Sequence, residues 1–284
     1  MSRISIRMQE LRDGGRSALV PYIMAGDPDV DQTVALMHAM VEAGVDMIEL
    51  GVPFSDPMAD GPVIQKAAER ALAGGMNLRR VLGIVQQFRR EDARTPVVLM
   101  GYLNPVERMG YEAFAEAAAG AGVDGVLTVD LPPEEADTFT RLLRAAGMDP
   151  IFLLSPTTTE TRMRAVCEAA SGFVYYVSLK GVTGAASLDM DDVARRVAAI
   201  RAVTDLPVGV GFGISDAPTA ARMAAVADAV VVGSALVRRM EEHAGDPVQM
   251  RDAVMALLAQ MRQAMDSSEG RNGPEATPAG APGG

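Results

Sequence analysis

The chain has 284 residues, is 49% hydrophobic and carries a formal net charge of −11, a balance that argues against nucleic acid as a partner. It has no apolar run near the roughly 20 residues needed to span a bilayer, and Met1–Arg7 lacks the h-region of a signal peptide, so a cytoplasmic protein without membrane association is expected. One cysteine, Cys167, excludes an intramolecular disulfide framework and reads as a small buried hydrophobe. The two histidines, His38 and His243, lie far apart, and no cluster has metal-ligand spacing.

In chain order, the N-terminus predicts a short amphipathic helix with Ile4, Met8 and Leu11 on one face. Strand-like runs follow at Ala18–Met24, Val45–Leu50, Val97–Met100, Gly125–Val129, Asp149–Leu154, Phe173–Leu179, Val208–Phe212 and Ala229–Val232. Between them lie segments of helical period, among them Thr33–Glu42, Ile64–Leu72, Leu78–Phe88, Tyr111–Ala119, Glu134–Ala146 and Asp191–Val203. Apolar strands alternating with helices indicate a parallel sheet covered on both faces. Eight of them in about 250 residues fit an α/β fold of the closed (β/α)8 barrel kind, with a capping helix at the N-terminus and extra helices after the second and eighth strands. An open doubly wound sheet is the alternative. Its glycine-rich dinucleotide turn is missing, because Ala25-Gly26-Asp27-Pro28 follows the first strand. The barrel is expected to occupy residues 1–265, and the Gly-, Pro- and Ser-rich stretch 266–284 to be a disordered tail.

Glu42-Ala43-Gly44-Val45-Asp46 and Gly120-Ala121-Gly122-Val123-Asp124 repeat one device, a glycine that ends a helix just before a strand. They belong at the bottom of the barrel, where their acids serve structure. Period-two alternation puts Val45, Met47 and Glu49 on one side of the second strand, with Glu49 uppermost among inward-facing residues. Barrel enzymes keep their chemistry at that end. The following loop, closed by Pro53, Pro57 and Pro62, delivers Asp60 just before a helix. Two acids at one strand mouth suggest proton transfer plus stabilisation of a developing cation. Taken singly, an ion pair would explain Glu49 equally well and a helix N-cap would explain Asp60.

Glycines cluster after the sixth, seventh and eighth strands: Gly181 and Gly184, Gly211 and Gly213, then Gly233-Ser234 at the start of a helix. Close backbone N–H groups and a helix dipole there suit a phosphate. Lys180 to Ala186 reads as a loop able to close over a ligand.

These residues together resemble the family of tryptophan synthase alpha subunits, from the N-terminal helix to about residue 265. The resemblance is carried by Ala25-Gly26-Asp27-Pro28, Glu49–Gln65, Met100-Gly101-Tyr102-Leu103-Asn104-Pro105, Asp130-Leu131-Pro132, Gly181-Val182-Thr183-Gly184 and Val210-Gly211-Phe212-Gly213-Ile214. It implies cleavage of indole-3-glycerol phosphate to indole and glyceraldehyde 3-phosphate, with Glu49 as general acid/base and Asp60 accepting the indole N–H. It further implies indole contacts at Tyr22, Met100, Leu127, Tyr175 and Phe212, a lid residue at Thr183, and a phosphate cradle at Gly184, Gly213, Gly233 and Ser234, to which Gly211 is added from the glycine pattern. Pro53, Asp56, Asn104, Pro105 and Pro132, turn residues on sequence alone, correspond to the surface facing a beta subunit in an alpha2beta2 heterotetramer. Pyridoxal phosphate belongs to that partner, and no cofactor is expected in this chain. The competing readings are a Schiff-base aldolase using Lys180, a non-catalytic regulatory subunit and, more weakly, a dinucleotide-dependent oxidoreductase.

Overall fold

The computed structural model describes residues 1–178 and 189–267. Its nine strands are β1 (Ala18–Met24), β2 (Ile48–Gly51), β3 (Val97–Gly101), β4 (Gly125–Thr128), β5 (Asp149–Ile151), β6 (Leu153–Leu154), β7 (Val174–Val177), β8 (Val208–Gly211) and β9 (Ala229–Val232). All pair in parallel, in the order β5-β4-β3-β2-β1-β9-β8-β7-β6. The expected single strand over Asp149–Leu154 is interrupted at Phe152. Its first half pairs with β4 and its second with β7, and the Tyr175 N–H bonds the Phe152 carbonyl at 3.0 Å. The interruption is therefore where the ring of eight strand positions closes, giving the (β/α)8 barrel.

The N-terminal helix α1 (Arg3–Asp13) is capped by the Ser2 hydroxyl and turns Ile4, Met8 and Leu11 inward. These side chains plug the floor of the barrel beneath Met47, Val98, Leu127, Ile151, Phe173 and Tyr175, all in one buried cluster. A second, larger cluster fills the layer between the sheet and α2 (Val30–Glu42), α3 (Pro62–Ala73), α4 (Leu78–Phe88), α5 (Leu103–Met109), α6 (Tyr111–Ala121), α7 (Asp137–Ala145), α8 (Glu160–Ala169), α9 (Met190–Arg201), α10 (Ala217–Ala224), α11 (Ser234–Glu242) and α12 (Pro247–Ser267). Cys167 lies buried in that outer layer.

Three expectations need correction. Val45 does not face the interior: β2 begins only at Ile48, and Val45 packs in the outer layer while its N–H closes the end of α2 on the Met40 carbonyl. Asn104 and Pro105 are not in a turn but in the first turn of α5, where proline costs no intrahelical bond because those N–H groups have no partner within the helix. The helix predicted from Glu134 starts as a 3-10 turn at Pro133–Glu135, and α7 proper begins at Asp137.

Gly44 and Gly122 do end their helices at φ 91° and 90°. The acids that follow serve structure, as their place at the barrel floor suggested. Asp46, just before β2, accepts from the Leu19 N–H of β1 at 2.8 Å; Asp124, before β4, accepts from the Val97 N–H of β3 at 2.8 Å. Asp228, before β9, accepts from the Val208 N–H of β8 at 2.9 Å. In all three cases the acid's own N–H bonds back to the same neighbour's carbonyl, so each strand start is held from both sides. Cations complete the pins: Arg7 and Arg262 on Asp46, Arg3 and Arg89 on Asp124.

The Arg262–Asp46 pair is almost fully desolvated, with side-chain exposures of 8% and 1%. Removing Asp46 strips Arg262 of its buried partner, leaving it only the more exposed Asp266 as a counter-ion among the described residues, and orphans the Leu19 N–H, a combined cost of about 3 kcal/mol. Asp46→Ala is therefore expected to lose about 3 kcal/mol or more of unfolding free energy, read from the denaturant midpoint; a loss below about 1 kcal/mol would remove this pin from the set that holds the barrel.

Candidate active site

At the upper end of the barrel, the β1–β2 register sets Tyr22 opposite Glu49. Both side chains are buried, at 5% and 2% exposure. The phenol leans one layer up the barrel over Gly51, where a Cβ atom would come within 2.2 Å of the Tyr22 Oη. Tyr175 on β7 repeats the arrangement over Gly211 of the neighbouring β8, with a corresponding gap of 2.0 Å. Glycine at these two strand ends thus makes room for two phenols.

Glu49 lies between them without a counter-ion among the described residues, and its Oε1 has no hydrogen-bond partner there. Burial, reinforced by the negative charge of Asp60, pushes its carboxyl up to about 8. Ionised, it would be an unpaired charge in apolar surroundings; neutral, it is a proton donor at physiological pH. Burial and the fields of Asp60, Glu49, Tyr102 and Tyr175 likewise hold the Tyr22 hydroxyl well above the usual phenol range, so it stays a donor. Burial and Glu49 do the same to Tyr175.

Asp60 reaches this cluster from the loop between β2 and α3. Its own carboxyl is raised by burial, but a hydrogen bond from the Tyr102 hydroxyl at 3.2 Å opposes the rise. Asp60 does not cap α3, whose N-cap is Gly61 with no side-chain bond. The two structural alternatives for the acids thus fail separately: among the described residues Glu49 has no ion pair, and Asp60 is no helix cap. Tyr102, an aromatic hydroxyl just beyond β3, is a site residue that sequence reasoning passed over, although it stood in the quoted Met100–Pro105 segment.

Met100 and Leu127 are opposite each other in the β3–β4 register and close the wall beside these acids. Phe212 is different: it is 40% exposed and takes φ 77°, a left-handed backbone that a bulky residue adopts only at a cost. Gly213 follows at φ 76°. The Ser178 hydroxyl supports this turn through the Gly211 and Phe212 carbonyls, at 2.8 and 3.0 Å. Helix α11 starts from Gly233 without a side-chain cap, so its first N–H groups are open to an anion; a Cβ on Gly233 would lie 3.5 Å from the Tyr22 Cβ. The anion corner and the acid cluster are therefore adjacent.

Of the expected partner surface, Asp56 and Asn104 are exposed, Pro105 and Pro132 half-buried, and Pro53 is buried beneath its loop. Met58, between Asp56 and Asp60, is 87% exposed. Thr183, Gly184, Gly181 and Lys180 lie outside the described residues, as does the stretch 268–284. Lys66 stands exposed on α3.

The family model for the tryptophan synthase alpha chain matches residues 8–266. The chain belongs to the tryptophan synthase alpha chain family. It is 68% identical to the tryptophan synthase alpha chain of Thioalkalivibrio sulfidiphilus over 94% of this chain and 100% of that one. The alpha chain of Marinobacter nauticus is 61% identical, with 94% and 99% covered. Among solved structures, the alpha subunit from Legionella pneumophila superimposes with a TM-score of 0.86 at 46% identity, covering 94% of this chain and 99% of that one. A tryptophan synthase structure from Mycobacterium tuberculosis in an aminoacrylate-bound form gives 0.82 at 39% identity, covering 93% and 100%. Among the described residues, no helix is long and apolar enough to cross a membrane.

The raised Glu49 carboxyl has a consequence for stability. Because its native value lies above its unfolded one, the folded chain binds more protons between pH 4.5 and about 8, and stability falls as pH rises through that window. Glu49→Gln, which cannot ionise, is expected to escape this loss. Its gain in unfolding free energy over the unmodified chain should grow from near zero at pH 4.5 to a few kcal/mol at pH 8. A gain that does not vary with pH would mean that Glu49 finds a counter-charge in solution.

Proposed function

We propose that Glu49 and Asp60 carry out the alpha reaction of tryptophan synthase, the cleavage of indole-3-glycerol phosphate to indole and glyceraldehyde 3-phosphate. What supports this above all is a buried carboxylic acid held neutral to about pH 8, next to a second acid on a more solvated loop. Glu49 donates its proton to C3 of the indole ring, and the ring nitrogen takes on positive charge. Asp60, ionised, accepts the ring N–H and stabilises that cation. The Glu49 carboxylate so formed then removes the proton of the chain hydroxyl next to the ring. The oxygen electrons form the aldehyde carbonyl, the carbon–carbon bond breaks, and its electron pair returns to the ring to neutralise the nitrogen. Glu49 ends protonated and ready for another turnover, so one residue serves as acid and then as base.

Tyr22, Met100, Leu127, Tyr175 and Phe212 wall the space for the ring. The phosphate rests at the open start of α11, on Gly233 and Ser234, with Gly213 beside it. Gly184 and Thr183 complete the cradle and the lid in this reading. Gly211 is better explained by the room it leaves for Tyr175 than by phosphate contact. The proposed partner is a beta subunit in an alpha2beta2 assembly, which holds pyridoxal phosphate and joins the released indole to serine. Asp56, Asn104, Pro105 and Pro132 face it, with Pro53 shaping the loop from below.

Indole release from indole-3-glycerol phosphate tests the reading, by the chain alone and with a beta subunit. Glu49→Gln is expected to lose at least about 10²- to 10⁴-fold, the usual worth of a general acid/base, while staying folded. Asp60→Asn should lose about 10²-fold or more through its effect on the cation. It should also move the alkaline limb of the pH–rate profile to lower pH, because Asp60 raises the Glu49 carboxyl and Tyr22 and Tyr175, the other titratable groups facing Glu49, remain neutral there. Wild-type rates in both variants would reject the assignment.

A further inference from the structure

We propose that Tyr102 is a positioning residue for Asp60, its hydroxyl binding the loop backbone at Ala59 and one Asp60 carboxylate oxygen at the same time. The inference rests on the roles given above to Glu49 and Asp60 and adds a third residue to them.

A phenol has one proton and can also accept. The Tyr102 Oη accepts from the Ala59 N–H at 2.9 Å, so its own proton points elsewhere, and the Asp60 Oδ2 at 3.2 Å receives it. The other bonds of the loop beyond Val52 are local: Asp60 N–H to the Pro57 carbonyl at 3.1 Å, Met58 N–H to the Asp56 carbonyl, and Gln65 Nε2 to the Asp60 carbonyl at 2.8 Å. Val52, at the start of the loop, still bonds the Met100 carbonyl of β3 at 2.8 Å; beyond it, among the described residues, Tyr102 is the hydrogen-bonded tie between this loop and the barrel wall. Its ring is well placed to act as an anchor. It is 5% exposed, packs on Phe54 at 5.2 Å between centroids, and stands between the end of β3 and the start of α5. The backbone on its far side is fixed by the Leu103 N–H on Asp130 at 2.8 Å.

The tie also separates the two acids chemically. Burial drives both carboxyls toward the neutral form, fully buried Glu49 and half-buried Asp60 alike, and one of them must stay ionised for the reaction above. Among the described residues, Asp60 receives the Tyr102 donor, which opposes its rise, while the Oε1 of Glu49 has no partner. The groups facing Asp60 are Tyr22 from β1, Glu49 from β2 and Tyr102 beyond β3, with Asp130 behind Tyr102. None of them is a cation, so the phenol proton is the counter-group these elements offer.

Tyr102→Phe keeps the ring and its contact with Phe54 and removes only the hydroxyl. Activity requires Asp60 ionised, so loss of the donor is expected to move the acid limb of the kcat/KM profile to higher pH. The alkaline limb, set by Glu49, should stay. The loss is expected to reach about tenfold or more on the acid side and to shrink toward neutral pH. Adding Tyr102→Phe to Asp60→Asn should cost little more, since the residue acts through Asp60. A loss uniform in pH and equal in both backgrounds would assign Tyr102 to packing or direct substrate contact and overturn the proposal. Carboxyl titration of Asp60 by carbon-13 NMR provides a readout independent of turnover. An unchanged midpoint in Tyr102→Phe overturns the proposal whatever the activity, whereas a raised midpoint in a chain that releases no indole would uphold the tie and reject the reaction.

Discussion

The burial of carboxylates inside a closed parallel sheet is the constraint on which this structure turns, and the barrel meets it in opposite ways at its two ends. At the floor, Asp46, Asp124 and Asp228 each accept a strand N–H, and Asp46 and Asp124 also face two arginines apiece. Every lone pair that matters there has a partner, so charge is held and the strand starts are fixed in register. At the mouth, Glu49 has none on Oε1. A charge there would cost several kcal/mol, and the group answers by keeping its proton. The same side-chain chemistry thus gives rigidity where it is satisfied and reactivity where it is not. The second is tolerable because the first, with the α1 plug beneath it, holds the barrel closed.

Much of this was legible in the sequence because it rests on short-range rules. Apolar runs separated by helical segments marked the eight strand positions of the ring, though not the break at Phe152, and the position of Glu49 near the end of one run marked the mouth. The glycine-then-acid repeat marked the floor, and the left-handed Gly44 and Gly122 explain why. Boundaries were less legible. Val45 belongs to the exit from α2 rather than to β2, since a helix-ending bond to Met40 outcompetes strand pairing there. Phe212 looked like the last residue of a strand. Its positive φ ends β8 at Gly211, a decision made by the turn that Ser178 supports and not by the propensity of phenylalanine.

Tyr102 was missed for a different reason. Its role depends on a loop 42 residues earlier folding back across the end of β3, and pattern reading along one strand cannot register that contact. Gly211 was noticed, but its fit to Tyr175 was not. A glycine after a strand near other glycines suggests an anion cradle, whereas here the missing side chain is space for the Tyr175 phenol. Both cases are non-local. The residue type is visible in the chain, and what it is for depends on which strand the barrel puts beside it.

The pairing of Tyr22 with Gly51 and of Tyr175 with Gly211 shows how closure itself shapes the mouth. In each pair the tyrosine leans along its strand toward a glycine on the neighbouring strand, two residues beyond its register partner: Glu49 for Tyr22 and Gly209 for Tyr175. A side chain at either glycine would come within 2.2 Å or less of a phenol oxygen and push the ring toward the barrel axis, into the space above Glu49. The two notches therefore hold the rings against the wall while their hydroxyls stay neutral beside the acids. The mouth is shaped by what two strands lack, and its polarity is set by what their neighbours supply. An apolar wall alone would raise the Glu49 carboxyl but leave a growing cation without a counter-charge. In the proposed reaction that charge comes from the loop that brings Asp60, which is tied to Tyr102 outside the sheet, where solvent still reaches.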